Sequence, residues 1–133
     1  MSDIKFIDFF KHHSGNSLTD RNHFVFIQNK NNDPNKIVSI ILNIETTDLI
    51  IQKECYFVRM AYNEITGDYY LVFQKEKTGV DVNIKPNNPR GQINCRELCR
   101  YLIEKIGIDF RKPFEVSGNI ANRPDMITIH IRK

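Results

Sequence analysis

Ile40-Ile41-Leu42-Asn43, Asp48-Leu49-Ile50, Tyr56-Phe57-Val58 and Asp68-Tyr69-Tyr70-Leu71-Val72-Phe73 form one ordered series. A second series follows about 53 to 58 residues later: Gln92-Ile93-Asn94, Tyr101-Leu102-Ile103, Phe114-Glu115-Val116 and Asp125-Met126-Ile127-Thr128-Ile129. Each reads as strand, short amphipathic segment, strand, turn, strand. The echo is of pattern, not of identity. Recurrence at a long period points to a fold assembled from repeated units.

Around these series the local signals are ordinary. Residues 3–13 predict a short helix, capped by Ser2 or Asp3, with Phe6, Ile7 and Phe10 on one face. His23 to Ile27 predicts a strand, and Asn29 to Asn35, with Asp33-Pro34, a loop. Ile37 to Ile44 predicts an apolar strand, followed by one or two helical turns over Glu45 to Gln52. Tyr56 to Tyr62 and Tyr69 to Gln74 predict a hairpin whose turn uses Gly67. Val80, Val82 and Ile84 alternate with polar residues, the mark of a half-buried strand.

The strongest helix signal follows. Cys95, Leu98, Cys99, Leu102, Ile103 and Ile106 make one apolar stripe. Asn94 and Glu97 have capping-box spacing, and Gly107 is a natural stop. Phe114 to Ser117 and Met126 to Arg132 predict two closing strands. The tally is about seven strands and two or three short helices. No regular βαβ alternation occurs, so the expected class is α+β, mainly antiparallel. One domain over 1–133 is expected: helix and strand in 1–35, a first β-rich half in 36–84, and a second half with the capped helix in 85–133.

The chain has 133 residues, 41% hydrophobic and 26% charged, enough to bury a core. No apolar run is long enough to span a bilayer. Met1-Ser2-Asp3-Ile4-Lys5 has no signal-peptide character, and three cysteines make no disulfide framework. A cytoplasmic protein, off the membrane, is the expectation. The net charge of +3 is unevenly spread. Residues 85–133 hold ten Lys+Arg against five Asp+Glu, and residues 1–84 hold nine against eleven. A basic surface of this kind suits DNA or an acidic protein partner.

Phosphate-binding glycine loops, nucleophile elbows and zinc-protease helices are absent from the sequence. Cys95 and Cys99 could share a metal by spacing, but within an apolar stripe they read as core. No catalytic residue, cofactor or metal site is assigned, and an enzyme is the weakest reading. The nucleic-acid candidates are Arg90, Gln92, Arg96 and Arg100. Arginines one helical turn apart can contact phosphates, and a glutamine can read a base edge. Tyr56, Phe57, Tyr62, Tyr69 and Tyr70 suit either cross-strand packing or a stacking surface for single strands.

Gly91-Gln92-Ile93-Asn94-Cys95-Arg96-Glu97-Leu98-Cys99-Arg100, Ile106-Gly107-Ile108, Phe114-Glu115-Val116 and Met126-Ile127-Thr128-Ile129 resemble the AbrB/MazE-like swapped-hairpin domain. The first series is similar in order only. Cys95 stands where that family has proline, and about three extra residues lengthen the helix. The resemblance implies two motifs, usually from two chains, interlocked into one DNA-binding barrel, often an antitoxin or transition regulator. Here one chain would supply both, with Arg90, Arg96 and Arg100 at the basic positions of the DNA-facing segment. Asn43, Glu45 and Asp48 make the first series acidic in that region. As a whole the chain resembles small proteins of phages and other mobile elements. The expected function is therefore a non-enzymatic nucleic-acid-binding or regulatory accessory protein. The alternative is a protein–protein interaction module, a small inhibitor or adaptor. A homo-oligomer is compatible with either.

Overall fold

A strand turns alternate side chains to opposite faces, and a sheet closed on itself buries one face of all its strands together. The structure, a computed structural model, describes residues 23–27, 33–119 and 126–132. Its elements are β1 (His23–Phe26), β2 (Ser39–Ile41), α1 (Ile44–Lys53), β3 (Phe57–Tyr62), β4 (Tyr69–Gln74), β5 (Val80–Asn83), β6 (Gln92–Asn94), α2 (Arg96–Arg100), β7 (Phe114–Asn119) and β8 (Met126–Ile131). A 3-10 turn at Pro34–Lys36 precedes β2, and α2 continues as a π-helix over Tyr101–Ile106. The strands close into an antiparallel barrel in the order β1-β2-β6-β5-β3-β4-β8-β7. Eight strands leave an interior that side chains alone can fill. Phe24, Phe26, Ile40, Val58, Leu71, Phe73, Ile93, Ile127 and Ile129 fill it, with Ile50, Leu98 and Leu102 supplied by the helices. Phe114 packs edge-on to Phe24, with centroids 5.8 Å apart. A smaller cluster, Ala61, Val72 and Met126, lies on the other face of β3, β4 and β8.

The two halves of the barrel carry the same wiring. Exchanging β1 with β5, β2 with β6, β3 with β7 and β4 with β8 returns the same closed order. The registers follow. Adding 58 residues to β1, β3 and β4, and 51 to β2, carries the ladders of the first half onto their counterparts. Arg59↔Val72 becomes Ser117↔His130, and Val25↔Ile41 becomes Asn83↔Gln92. Likewise Phe57↔Asp81 becomes the Glu115↔His23 pair of β7 and β1. The sequence echo is therefore a topological repeat of the form ββαββ. Its junction is the turn at residues 75–79, since β5 is the counterpart of β1.

The helices show where the halves diverge. α1 has ten residues between its caps Asn43 and Glu54, whereas α2 and its π-helix have eleven between Cys95 and Gly107. The offsets of 51 and 58 leave the β6–β7 connection seven residues longer than β2–β3; most of these follow Gly107, and one lies in the helix, which holds it as a wider turn. Both helices stop on a left-handed residue, Glu54 at φ 58 and Gly107 at φ 88.

Three expectations need correction. The described residues form eight strands, against a tally of about seven; the one left out of the tally is β6, although it reads as the opening strand of the second series. Asn94 does not cap α2: the cap is Cys95, with no side-chain hydrogen bond. Asn94 instead sits opposite Ser39 in register, and its Oδ1 accepts from the Ser39 hydroxyl at 2.7 Å. The apolar segment 37–44 is strand only over Ser39–Ile41, because Asn43 caps α1 by accepting from the Thr46 N–H. The helix expected over 3–13 lies outside the described residues.

Candidate functional site

The four sequence candidates fall along β6 and α2. Arg90 is exposed before β6, with its backbone N–H donating to Asn88 Oδ1 at 3.0 Å. Gln92 is half-buried, opposite Ile41 of β2 and Asn83 of β5. Arg96 is exposed at the first position of α2. Arg100 lies one turn on and is half-buried, its Nε and Nη2 donating to Glu104 Oε2 at 3.2 and 2.9 Å. The helix thus brings Arg96 and Arg100 together. Arg90 belongs to the other end of β6, near α1, where the Gly91 N–H donates to the Thr47 hydroxyl at 2.8 Å. Along an extended chain, the six residues from Arg90 to Arg96 span at most about 20 Å.

The charge of the two helices differs although their positions correspond. α1 carries Glu45 and Asp48 against Lys53. α2 and its π-helix carry Arg96, Arg100 and Lys105 against Glu97 and Glu104.

A second constellation lies past the end of this helix. The β3–β4 turn is braced by Asn63, whose Oδ1 accepts from the N–H groups of Ile65 and Thr66 at 2.9 and 3.3 Å. Gly67 takes φ 80 there, which sets Asp68 just before β4. Asp68 faces His130 of β8, Oδ1 to Nε2 at 3.3 Å. The His130 ring lies against that of its register partner Tyr70, with centroids 5.1 Å apart. Gly67, Asp68, Tyr69, Lys105, Ile106, His130, Ile131 and Arg132 surround a cleft of about 320 Å³.

Three tyrosines line up beside this cleft. Tyr62 and Tyr69, opposite each other on β3 and β4, have ring centroids 4.8 Å apart. Tyr69 and Tyr101, on the π-helix, are 5.9 Å apart and edge-on. Hydrogen bonding with the Tyr101 side chain, then burial, raises the Tyr69 pKa, and Lys105 opposes the rise. Burial, then the Asp68 charge, raises Tyr70. Tyr62 and Tyr101 remain 43% and 38% exposed, so part of the cluster faces solvent.

The chain matches no family model, no curated protein and no solved structure.

The remaining chemistry narrows the choices. Cys55, Cys95 and Cys99 are in no disulfide, and Cys55 and Cys99 are buried. Burial, reinforced by Cys95, pushes the Cys99 thiol up to about 12, so it stays protonated and makes a poor nucleophile or metal ligand. Among the described residues no group of three or more His, Cys, Asp or Glu converges. Among the same residues no helix is long and apolar enough to cross a membrane.

Sequence reasoning named Tyr56, Phe57, Tyr62, Tyr69 and Tyr70 for either cross-strand packing or a stacking surface, and did not bring Tyr101, Lys105, Asp68, His130 or Arg132 beside them. These residues come from a turn, a helix end and a strand end far apart in the chain. The available signal was Tyr101, a large ring at the edge of the apolar stripe.

Proposed function

We propose that this protein is a non-enzymatic nucleic-acid-binding accessory protein whose α2 surface contacts backbone phosphates. The observation that carries this reading is the charge difference between α1 and α2, two helices in corresponding places. A barrel with repeated wiring would otherwise present the same face twice; this one presents a single basic helix. Arg96 is exposed, and Arg100, one turn away, holds Glu104 through Nε and Nη2 and would exchange that carboxylate for a phosphate. Forked guanidinium groups suit phosphate oxygens. The AbrB/MazE-like resemblance points the same way, with two interlocked motifs forming a DNA-binding barrel and one chain here supplying both.

The test is binding of labelled duplex and single-stranded DNA of random sequence across a salt series. Binding at low salt is expected, weakening linearly in log–log form as salt rises. Arg96→Ala and Arg100→Ala should each weaken it and shallow the duplex slope by about 0.9 per lost phosphate contact. No binding at low salt, or unchanged affinity in both variants, removes this reading.

A second reading, a protein–protein interaction module such as a small inhibitor or adaptor, rests on α1. Ile44 and Ile51, two turns apart, are 39% and 45% exposed. Ile51 also lines an open trough of about 570 Å³ with Asp48, Tyr56 and Pro86. Capture of a stoichiometric protein partner, lost in Ile51→Asp, would favour it over DNA.

A further inference from the structure

We propose that the cleft between the β3–β4 turn, the π-helix and the end of β8 binds one unpaired nucleotide of a DNA strand, its phosphate beside Lys105 and its base on the Tyr62–Tyr101 ring surface. This rests on the nucleic-acid reading above and names the form of the ligand. The cleft, of about 320 Å³, is at the small end of ligand pockets and suits a single nucleotide. Its wall holds Lys105 and Arg132 against one carboxylate, Asp68, which is itself within 3.3 Å of His130. The balance favours an anion. The three rings lie alongside through Tyr69, which belongs both to the cleft wall and to the aromatic cluster. Exposed tyrosine faces next to a cationic groove are the combination that holds single strands, because every base offers a face to stack.

The placement has a structural cause. Tyr101 and Lys105 both sit on the π-helix, where the second helix holds one residue more than α1, a distortion found frequently at functional sites. Duplex DNA cannot offer an unstacked base, so the cleft and the α2 arginines make separable demands. The arginines need only phosphates.

The experiment measures anisotropy of a labelled oligothymidine and of a duplex of equal length, for the full chain and four variants. Tyr101→Leu should weaken single-strand binding at least about fivefold and leave duplex binding unchanged. Tyr101→Phe should bind as the parent does. Lys105→Ala should shallow the single-strand salt slope by about 0.7. Thermal unfolding midpoints near the parent's confirm that the Leu and Phe variants fold; if Tyr101→Leu does not, Lys105→Ala and the Tyr62→Leu variant carry the test. Equal effects of Tyr101→Leu on both DNAs, or none on either, overturn the cleft. Competition by polyglutamate as effective as by oligothymidine also overturns it, in favour of an acidic protein. If Arg96→Ala weakens duplex binding while the cleft variants do nothing, the cleft falls and the nucleic-acid reading stands. If the cleft variants act and the arginine variants do not, the α2 surface falls alone. Absence of all DNA binding removes both.

Discussion

At the scale of single residues, backbone approach matters more than composition. Gly79 lies in the turn from β4 to β5 with φ +73, and a Cβ there would come 2.2 Å from the Val58 carbonyl oxygen. The turn is pressed against β3, and only a hydrogen fits. Gly67 has a similar φ, +80, but open space around it. Gly79→Ala is therefore expected to cost about 3 kcal/mol, and Gly67→Ala about 1 kcal/mol from left-handed strain alone. Urea unfolding of both variants checks this; similar losses would contradict it. Cys99 gives a pH-dependent counterpart. Its thiol is raised from 9.0 to about 12, by burial first and then by Cys95. The native state thus keeps a proton that the unfolded chain releases. Its stabilising contribution is full below about pH 9 and is lost as pH rises towards about 12. The stability advantage of the parent over Cys99→Ala should shrink between pH 8 and 10.5 in urea titrations. A pH-independent difference would refute the assignment.

At the scale of elements, α1 is held by the burial of Ile50 in the barrel core and by a hydrogen bond through the Thr47 hydroxyl. Thr47, 1% exposed, donates from Oγ1 to the Asn43 carbonyl at 3.0 Å and accepts from the Gly91 N–H at 2.8 Å. Thr47→Val keeps the shape but leaves the Gly91 donor unpaired, at a cost of about 1–3 kcal/mol. The loss should appear in chemical unfolding, with faster amide exchange at Gly91; unchanged exchange there would mean the bond carries no weight. How far the elements were legible follows from the same local forces. β3, β4, β5 and the stripe of Leu98, Leu102 and Ile106 were readable because burial acts at a fixed period. β6 was legible only as the opening strand of the second series, because its three residues show no period of their own and are held by ladders to β2 and β5 on either side. Asn94 was misplaced for the same reason: Ser39, 55 residues earlier, took the side chain that a local reading gives to the helix. The arginines of α2 were visible as a helical pair. The tyrosine cleft was only half visible, because its cations arrive from a helix end and a strand end joined by tertiary structure.

At the scale of the whole molecule, the repeat fixes how the halves depend on each other. Four ladders lie within a half: β1·β2, β3·β4, β5·β6 and β7·β8. Four join the halves: β2·β6, β3·β5, β4·β8 and β1·β7. Every hairpin of one half is therefore bordered on both sides by strands of the other. A half alone would expose strand edges, and its share of Phe24, Leu71 and Phe73 would have no opposing wall. Residues 1–76 expressed alone are expected to give no cooperative monomeric fold. Expressed together with residues 77–133, they should recover a one-to-one complex with a cooperative thermal transition, since the cut falls in the turn joining the halves and breaks no ladder. Size-exclusion chromatography and circular dichroism of the two preparations decide it. A stable monomer from residues 1–76 would mean that the halves are neighbours rather than mutual templates. A self-paired dimer of that fragment, by contrast, would follow from the wiring: each copy would supply the ladders its missing partner normally provides. Such a dimer would carry two acidic α1 helices and no α2, so on the proposed reading it should fold and yet fail to bind DNA.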